Sequence, residues 1–151
     1  MALAIFEGSR LKKAIDAERV QKAIEEAERR TSGEVRVCVS RFFWGSVERA
    51  ADRAFVRLGM ERTAQRNGVL FFVVPSRRRF VVLGDEGIHA KVGPEFWTHV
   101  AGAVSERFRR RDFTGGLVHG VETVGSELST HFPFDPGTDR DELPNTVDFD
   151  G

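Results

Sequence analysis

The run Val69-Leu-Phe-Phe-Val-Val74 is six apolar residues without a polar break. It is too short for a helix that buries a face and too apolar for a strand with one wet side. A central strand covered on both faces fits it. Upstream, Glu34-Val-Arg-Val-Cys-Val-Ser40 alternates, with Val35, Val37 and Val39 on one face. That predicts a strand buried fully on one face and partly on the other. Between the two runs, Ser46 caps a helical stripe of Val47, Ala50, Ala51, Ala54, Phe55 and Leu58, closed by Gly59. Strand, helix and strand in that order give a right-handed parallel crossover.

The flanking segments supply the covering layers. Asp16 caps a first helix with Ala17, Val20, Ile24 and Ala27 inward. Pro75 to Arg79 forms a polar turn, and Phe80-Val-Val-Leu83 returns antiparallel beside the central strand. Pro94 opens a helix with Phe96, Trp97, Val100, Ala101, Val104 and Phe108 inward. Asp112 or Thr114 opens the last, with Leu117, Val121, Val124 and Leu128 on its stripe. A short helical turn is also expected over residues 9–15. The order α-β-α-β-β-α-α predicts a three-layer α/β/α sandwich: a small mixed sheet with helices on both faces.

A chain of 151 residues suits one such domain, set at residues 1–134, with an acidic tail over 135–151. The formal charge is zero, but the tail holds six acids against Arg140, leaving 22 bases and 17 acids in the body. Without a basic excess overall, a nucleic-acid partner is not expected. Nor is membrane insertion, since no apolar run nears the ~20 residues of a spanning helix. With the single Cys38 ruling out an internal disulfide, a monomeric cytoplasmic protein is expected.

Topology also gathers chemistry at one place. Glu34 and Asn67 lie at the N-terminal ends of the two parallel strands, and the returning strand carries Asp85 and Glu86 to the same edge. Carboxylates with an amide oxygen are hard donors of the kind Ca²⁺ or Mg²⁺ takes. The same residues also read as a solvated strand-end charge, a turn and a loop. His89 follows closely but lacks zinc-ligand spacing, and no nucleophile elbow or phosphate loop occurs. Arg77-Arg-Arg79 and Arg109-Arg-Arg111 are basic runs. Phe42-Phe-Trp44, at the opposite sheet edge, is the candidate contact for a protein partner.

Several motifs in order carry a family likeness: Thr31-Ser-Gly-Glu-Val-Arg-Val37, Leu58-Gly-Met60 with Thr63, and Arg66-Asn-Gly-Val-Leu70. Gly84-Asp-Glu-Gly-Ile88, Val92-Gly93, Phe96-Trp97, Phe132-Pro133 and Glu142-Leu-Pro144 continue it. Together they resemble the TPM domain family, also called the TPM phosphatase domain, in its short soluble bacterial branch. The resemblance implies an α/β/α sandwich and a divalent cation, Ca²⁺ in particular, in an acidic pocket near the sheet edge. Asn67 and Asp85 match the family pattern best, ahead of Glu34, Glu86 and His89. The function expected is cation binding through Glu34, Asn67, Asp85 and Glu86 in an accessory role; the alternative is a metal-assisted phosphomonoester hydrolase.

Overall fold

The structure is a computed structural model, and it describes residues 15–41, 43–136 and 143–150. The expected turn at 9–15 and the positions of Phe42 and Glu142 lie outside them, Ile15 excepted. In chain order the elements are α1 (Ala17–Glu28), β1 (Glu34–Ser40), α2 (Val47–Arg57), β2 (Gly68–Val74) and β3 (Arg79–Gly84). There follow α3 (Glu86–Val92), α4 (Pro94–Arg109), α5 (Phe113–His131) and β4 (Asp148–Asp150). The sheet order is β3-β2-β1-β4. β1 runs parallel to β2 and to β4, and β3 is antiparallel to β2.

Alternation along the strands separates two cores. Val35, Val37, Val39, Val69, Phe71 and Val73 meet α1, α4 and α5 through residues such as Ile24, Val104, Val121 and Leu128. Cys38, Leu70, Phe72 and Val74 meet Val47, Ala51 and Ala54 of α2. β2 is buried along its whole length, as its unbroken apolar run requires. The mixed α/β/α sandwich expected from the sequence is therefore the fold. The capping residues agree as well: Asp16, Ser46 and Asp112 each accept a backbone N–H at the head of a helix.

Three features differ from expectation, the first being α3, which begins inside the Gly84-Asp-Glu-Gly87 stretch that reads as a loop. β1 is buried on both faces, because α2 covers its polar side and the C-terminal strand closes its free edge. Residues 135–151, which show no core-forming period, contribute β4, with Val147 and Phe149 packed against the larger core. A fastener holds this strand down. Arg57 pairs with Asp148 at 2.9 Å, and the Cys38 thiol donates to the same carboxylate at 3.3 Å.

Partial burial pushes the Asp148 carboxyl up, but hydrogen bonds from Arg57 and Cys38 and the Arg57 and Arg36 charges outweigh it. The net effect holds the group below its ordinary 3.8. A carboxylate lowered in the folded state lends stability above its unfolded pKa, and that stability fades as pH falls through the folded one. Amide exchange at Cys38 to Ser40 and Asp148 to Asp150 is therefore expected to accelerate below about pH 3.8. Asp148→Asn should remove this acid dependence, and an unchanged profile would show that the carboxylate is not what pins β4.

Candidate functional site

The N-terminal edge of the parallel strands is built on strand register. Glu34 lies opposite Gly68, and the Asp85 N–H donates to the Gly68 carbonyl at 2.9 Å. Glu34 and Asp85 thus flank a residue without a side chain, their backbones about 10 Å apart at the usual strand spacing. The approach to β2 is shaped by Thr63, whose hydroxyl accepts the Asn67 N–H at 3.1 Å. Between them Arg66 adopts φ 52°, a left-handed conformation that costs a non-glycine residue about 1 kcal/mol or more.

That conformation turns both ends of Arg66 toward the start of α3. Its carbonyl accepts the N–H of Gly87 at 2.8 Å and of Ile88 at 3.3 Å. Its guanidinium grips Asp85 in bidentate fashion, Nε to Oδ2 at 2.6 Å and Nη2 to Oδ1 at 2.9 Å, and reaches Glu86 at 3.3 Å. Asp85 Oδ1 also accepts the Glu86 N–H at 2.8 Å, capping the helix. The hydrogen bond to Asp85 outweighs desolvation and raises the Arg66 pKa further.

Asn67 is 1% exposed; its amide nitrogen donates to Ser32 Oγ at 3.5 Å, and its carbonyl accepts the Glu34 N–H at 3.4 Å. Its side-chain oxygen, Oδ1, is buried without a hydrogen-bond partner. Such an atom is costly unless something completes it. Glu34 is also buried, whereas Glu86 is 73% exposed. His89 is exposed and accepts the Trp97 indole N–H at 3.0 Å.

The predicted set therefore gathers as two pairs: Glu34 with Asn67 across β1 and β2, and Asp85 with Glu86 at the head of α3. Among the described residues, no group of three or more His, Cys, Asp or Glu side chains is placed to hold a metal ion. Two residues escaped the sequence reading. Arg66 was visible only as a residue of the Arg66-Asn-Gly motif. Glu28 lies in the last turn of α1, buried, and its Oε2 accepts the Val35 N–H at 2.8 Å. Its signal in the sequence was an acid just past the inward Ala27. The donors suit a hard cation, and Asn67 Oδ1 is an oxygen with unused lone pairs. The condition on Asp85 is that Arg66 withdraws.

The opposite edge carries a second feature. Trp44 is 89% exposed at the tip of the β1–α2 turn, while Phe43 is half-buried against Phe72.

The fold and its polar sheet edge define a small three-layer α/β/α domain with a carboxylate–arginine cluster at the start of its parallel strands. The family model described as the TPM domain matches residues 10–127, and the chain belongs to that family. Among solved structures, it is similar to the BA42 protein of the psychrophilic bacterium Bizionia argentinensis. That likeness has 37% identity over 89% of this chain and 94% of that one, with a TM-score of 0.82. The N-terminal domain of the cg2496 protein of Corynebacterium glutamicum shares the fold at 18% identity, with TM-score 0.56 over 74% of this chain and 70% of that one. The comparison with curated proteins finds no match. None of the described helices is long and apolar enough to cross a membrane.

Proposed function

We propose that this TPM-domain protein is a divalent-cation-binding domain, taking Ca²⁺ or Mg²⁺ through Asn67 and Asp85 with Glu34 and Glu86, in an accessory rather than catalytic role. The observation that carries the reading is the buried Asn67 Oδ1 without a partner, beside the edge where three carboxylates lie. The bound ion would supply positive charge that offsets repulsion among carboxylates. Arg66 now supplies that charge, so cation and guanidinium compete for Asp85. The reading places the domain in the cytoplasm as a monomer, in keeping with Cys38 as a buried thiol outside any disulfide.

Calorimetric titration with Ca²⁺ and with Mg²⁺ tests it on the wild type, Asp85→Asn and Arg66→Asn. The wild type is expected to bind, Asp85→Asn to lose binding, and Arg66→Asn to bind tighter by about tenfold. Asparagine tolerates the left-handed backbone at 66 and removes the competing charge. Equal binding by wild type and Asp85→Asn would sink the assignment.

A second reading, metal-assisted hydrolysis of phosphomonoesters, draws on Arg66. Its guanidinium is 41% exposed beside the carboxylates, where it has access to a phosphoryl oxygen. Steady-state hydrolysis of a generic phosphate ester that disappears in Asp85→Asn would favour it. A rate that survives the substitution belongs to a contaminant. For Trp44 and Phe43, the proposed role is contact with a partner.

A further inference from the structure

β3 is an edge strand, and its outer side differs from the opposite edge of the sheet, where β4 closes β1. Among the described residues, no strand pairs with that outer side. Strand parity says which groups it carries. The Asp85 N–H donates to the Gly68 carbonyl, so Asp85, Leu83, Val81 and Arg79 bond inward to β2. The alternate residues Phe80, Val82 and Gly84 therefore aim their N–H and C=O groups outward. Edge strands are ordinarily blunted by proline, a bulge or a charge within the strand. β3 has none of these: its register with β2 is unbroken, and Phe80-Val-Val-Leu83 is wholly apolar. Phe80 and Val82 pack on the larger core and Val81 and Leu83 on the smaller one, each only partly buried.

The charges along this strand favour a second copy of the chain as the occupant. Arg77, Arg78 and Arg79 stand at its start, Asp85 and Glu86 at its end. Glu48, paired with Arg79, and Arg66, paired with Asp85 and Glu86, reduce this contrast without reversing it. A strand basic at one end and acidic at the other complements itself when turned antiparallel. Symmetry then selects the register. A two-fold axis normal to the sheet sets one residue opposite its own copy, and the outward-facing groups centre on Val82. Val82 faces the partner's Val82 and Phe80 the partner's Gly84, which gives about six backbone hydrogen bonds. The Trp97 ring fills the space a Cβ at Gly84 would take, so the partner's Phe80 approaches an aromatic surface there. Arg78 and Arg79 fall opposite the partner's Glu86 and the partner's Asp85. A contact of one strand edge on another belongs to the weak, transient class of interfaces.

We propose that β3 is a self-pairing edge, through which two copies join antiparallel at Phe80, Val82 and Gly84 into one continuous sheet. The association is weak and reversible, so the dilute protein is the monomer. It is independent of the cation reading, and the experiments are run in chelator so that bound ions play no part. Amide–solvent exchange on the wild type, at roughly 10 μM and 1 mM protein, is the first test. With a dissociation constant of about 0.1 mM, the N–H groups of Phe80, Val82 and Gly84 should exchange about fourfold more slowly at the higher concentration. Those of Val81 and Leu83, already bonded to β2, should not change. Charge reversal tests the register. Arg78→Asp, which the left-handed backbone at 78 accommodates, and Glu86→Lys each set like charges opposite one another twice per dimer. Each should weaken self-association about tenfold in sedimentation equilibrium. An equimolar mixture of the two variants restores opposite charges at both contacts and should associate like the wild type. Exchange indifferent to concentration, slowing shared equally by Val81 and Leu83, or a mixture no better than its components would overturn the proposal.

Discussion

Asp85→Ala is expected to destabilise the domain by about 2–3 kcal/mol, a fall in melting temperature of roughly 5–10 °C at this chain length, and to remove cation binding. Two losses combine. The carboxylate that caps α3 disappears, at about 1 kcal/mol for a helix N-cap. The bidentate pair with Arg66 is broken as well. Removing one partner from a buried pair costs about 3–5 kcal/mol, but the Arg66 side chain is 41% exposed and regains water, so only part of that applies. Asp85→Asn separates the terms: its amide oxygen still accepts the Glu86 N–H, while its charge is gone. Chemical denaturation of wild type and both variants reads the order directly, with Asp85→Asn between the other two. If Asp85→Ala unfolds at the wild-type midpoint, the cluster contributes nothing to the fold. A stable Asp85→Ala that still binds Ca²⁺ would also end the cation assignment.

What the sequence made legible follows from how each signal is encoded. β2 is written in an unbroken apolar run, and β1 and the four longer helices in local periodicity: Val35-x-Val37-x-Val39 on one face, Leu117, Val121, Val124 and Leu128 on another. The Asp112 and Ser46 caps are local too. β4 was not legible, because three residues with one partly buried phenylalanine carry no period. It exists only because β1 offers a free edge and Arg57 offers a countercharge to Asp148. The edge site was legible as a meeting of strand ends, since direction alone brings Glu34, Asn67 and Asp85 together. How those groups bond was not. The grip of Arg66 on Asp85 depends on one left-handed backbone residue, and no spacing rule announces that. The Gly84-Asp-Glu-Gly87 stretch read as a loop for a related reason. α3 is a seven-residue helix stabilised by its cap and by the Arg66 carbonyl, not by a long apolar stripe.

Gly87→Ala tests that coupling with the largest expected effect, and the sign is the informative part. Alanine is the better helix former by about 1 kcal/mol, so on propensity alone the substitution in α3 should stabilise. Geometry opposes it. A Cβ at position 87 would overlap the Gln65 carbonyl oxygen and lie 2.6 Å from that of Arg66. These are backbone atoms, which cannot rotate aside as a side chain can. Relief requires the 65–67 segment to move away from α3, and that strains or breaks the Gly87 and Ile88 hydrogen bonds to the Arg66 carbonyl. Overpacking costs about 1–3 kcal/mol and each net backbone hydrogen bond about 1 kcal/mol, so the variant should lose about 3 kcal/mol after the propensity gain. Gly102→Ala is the matched control. It lies within α4, where a Cβ would meet nothing within 4 Å, so propensity acts unopposed and stability should rise by up to ~1 kcal/mol. Opposite signs for the two substitutions are expected from urea titrations of both. If both stabilise, the Arg66 turn yields freely, and it is too soft to hold Asp85 against an incoming cation.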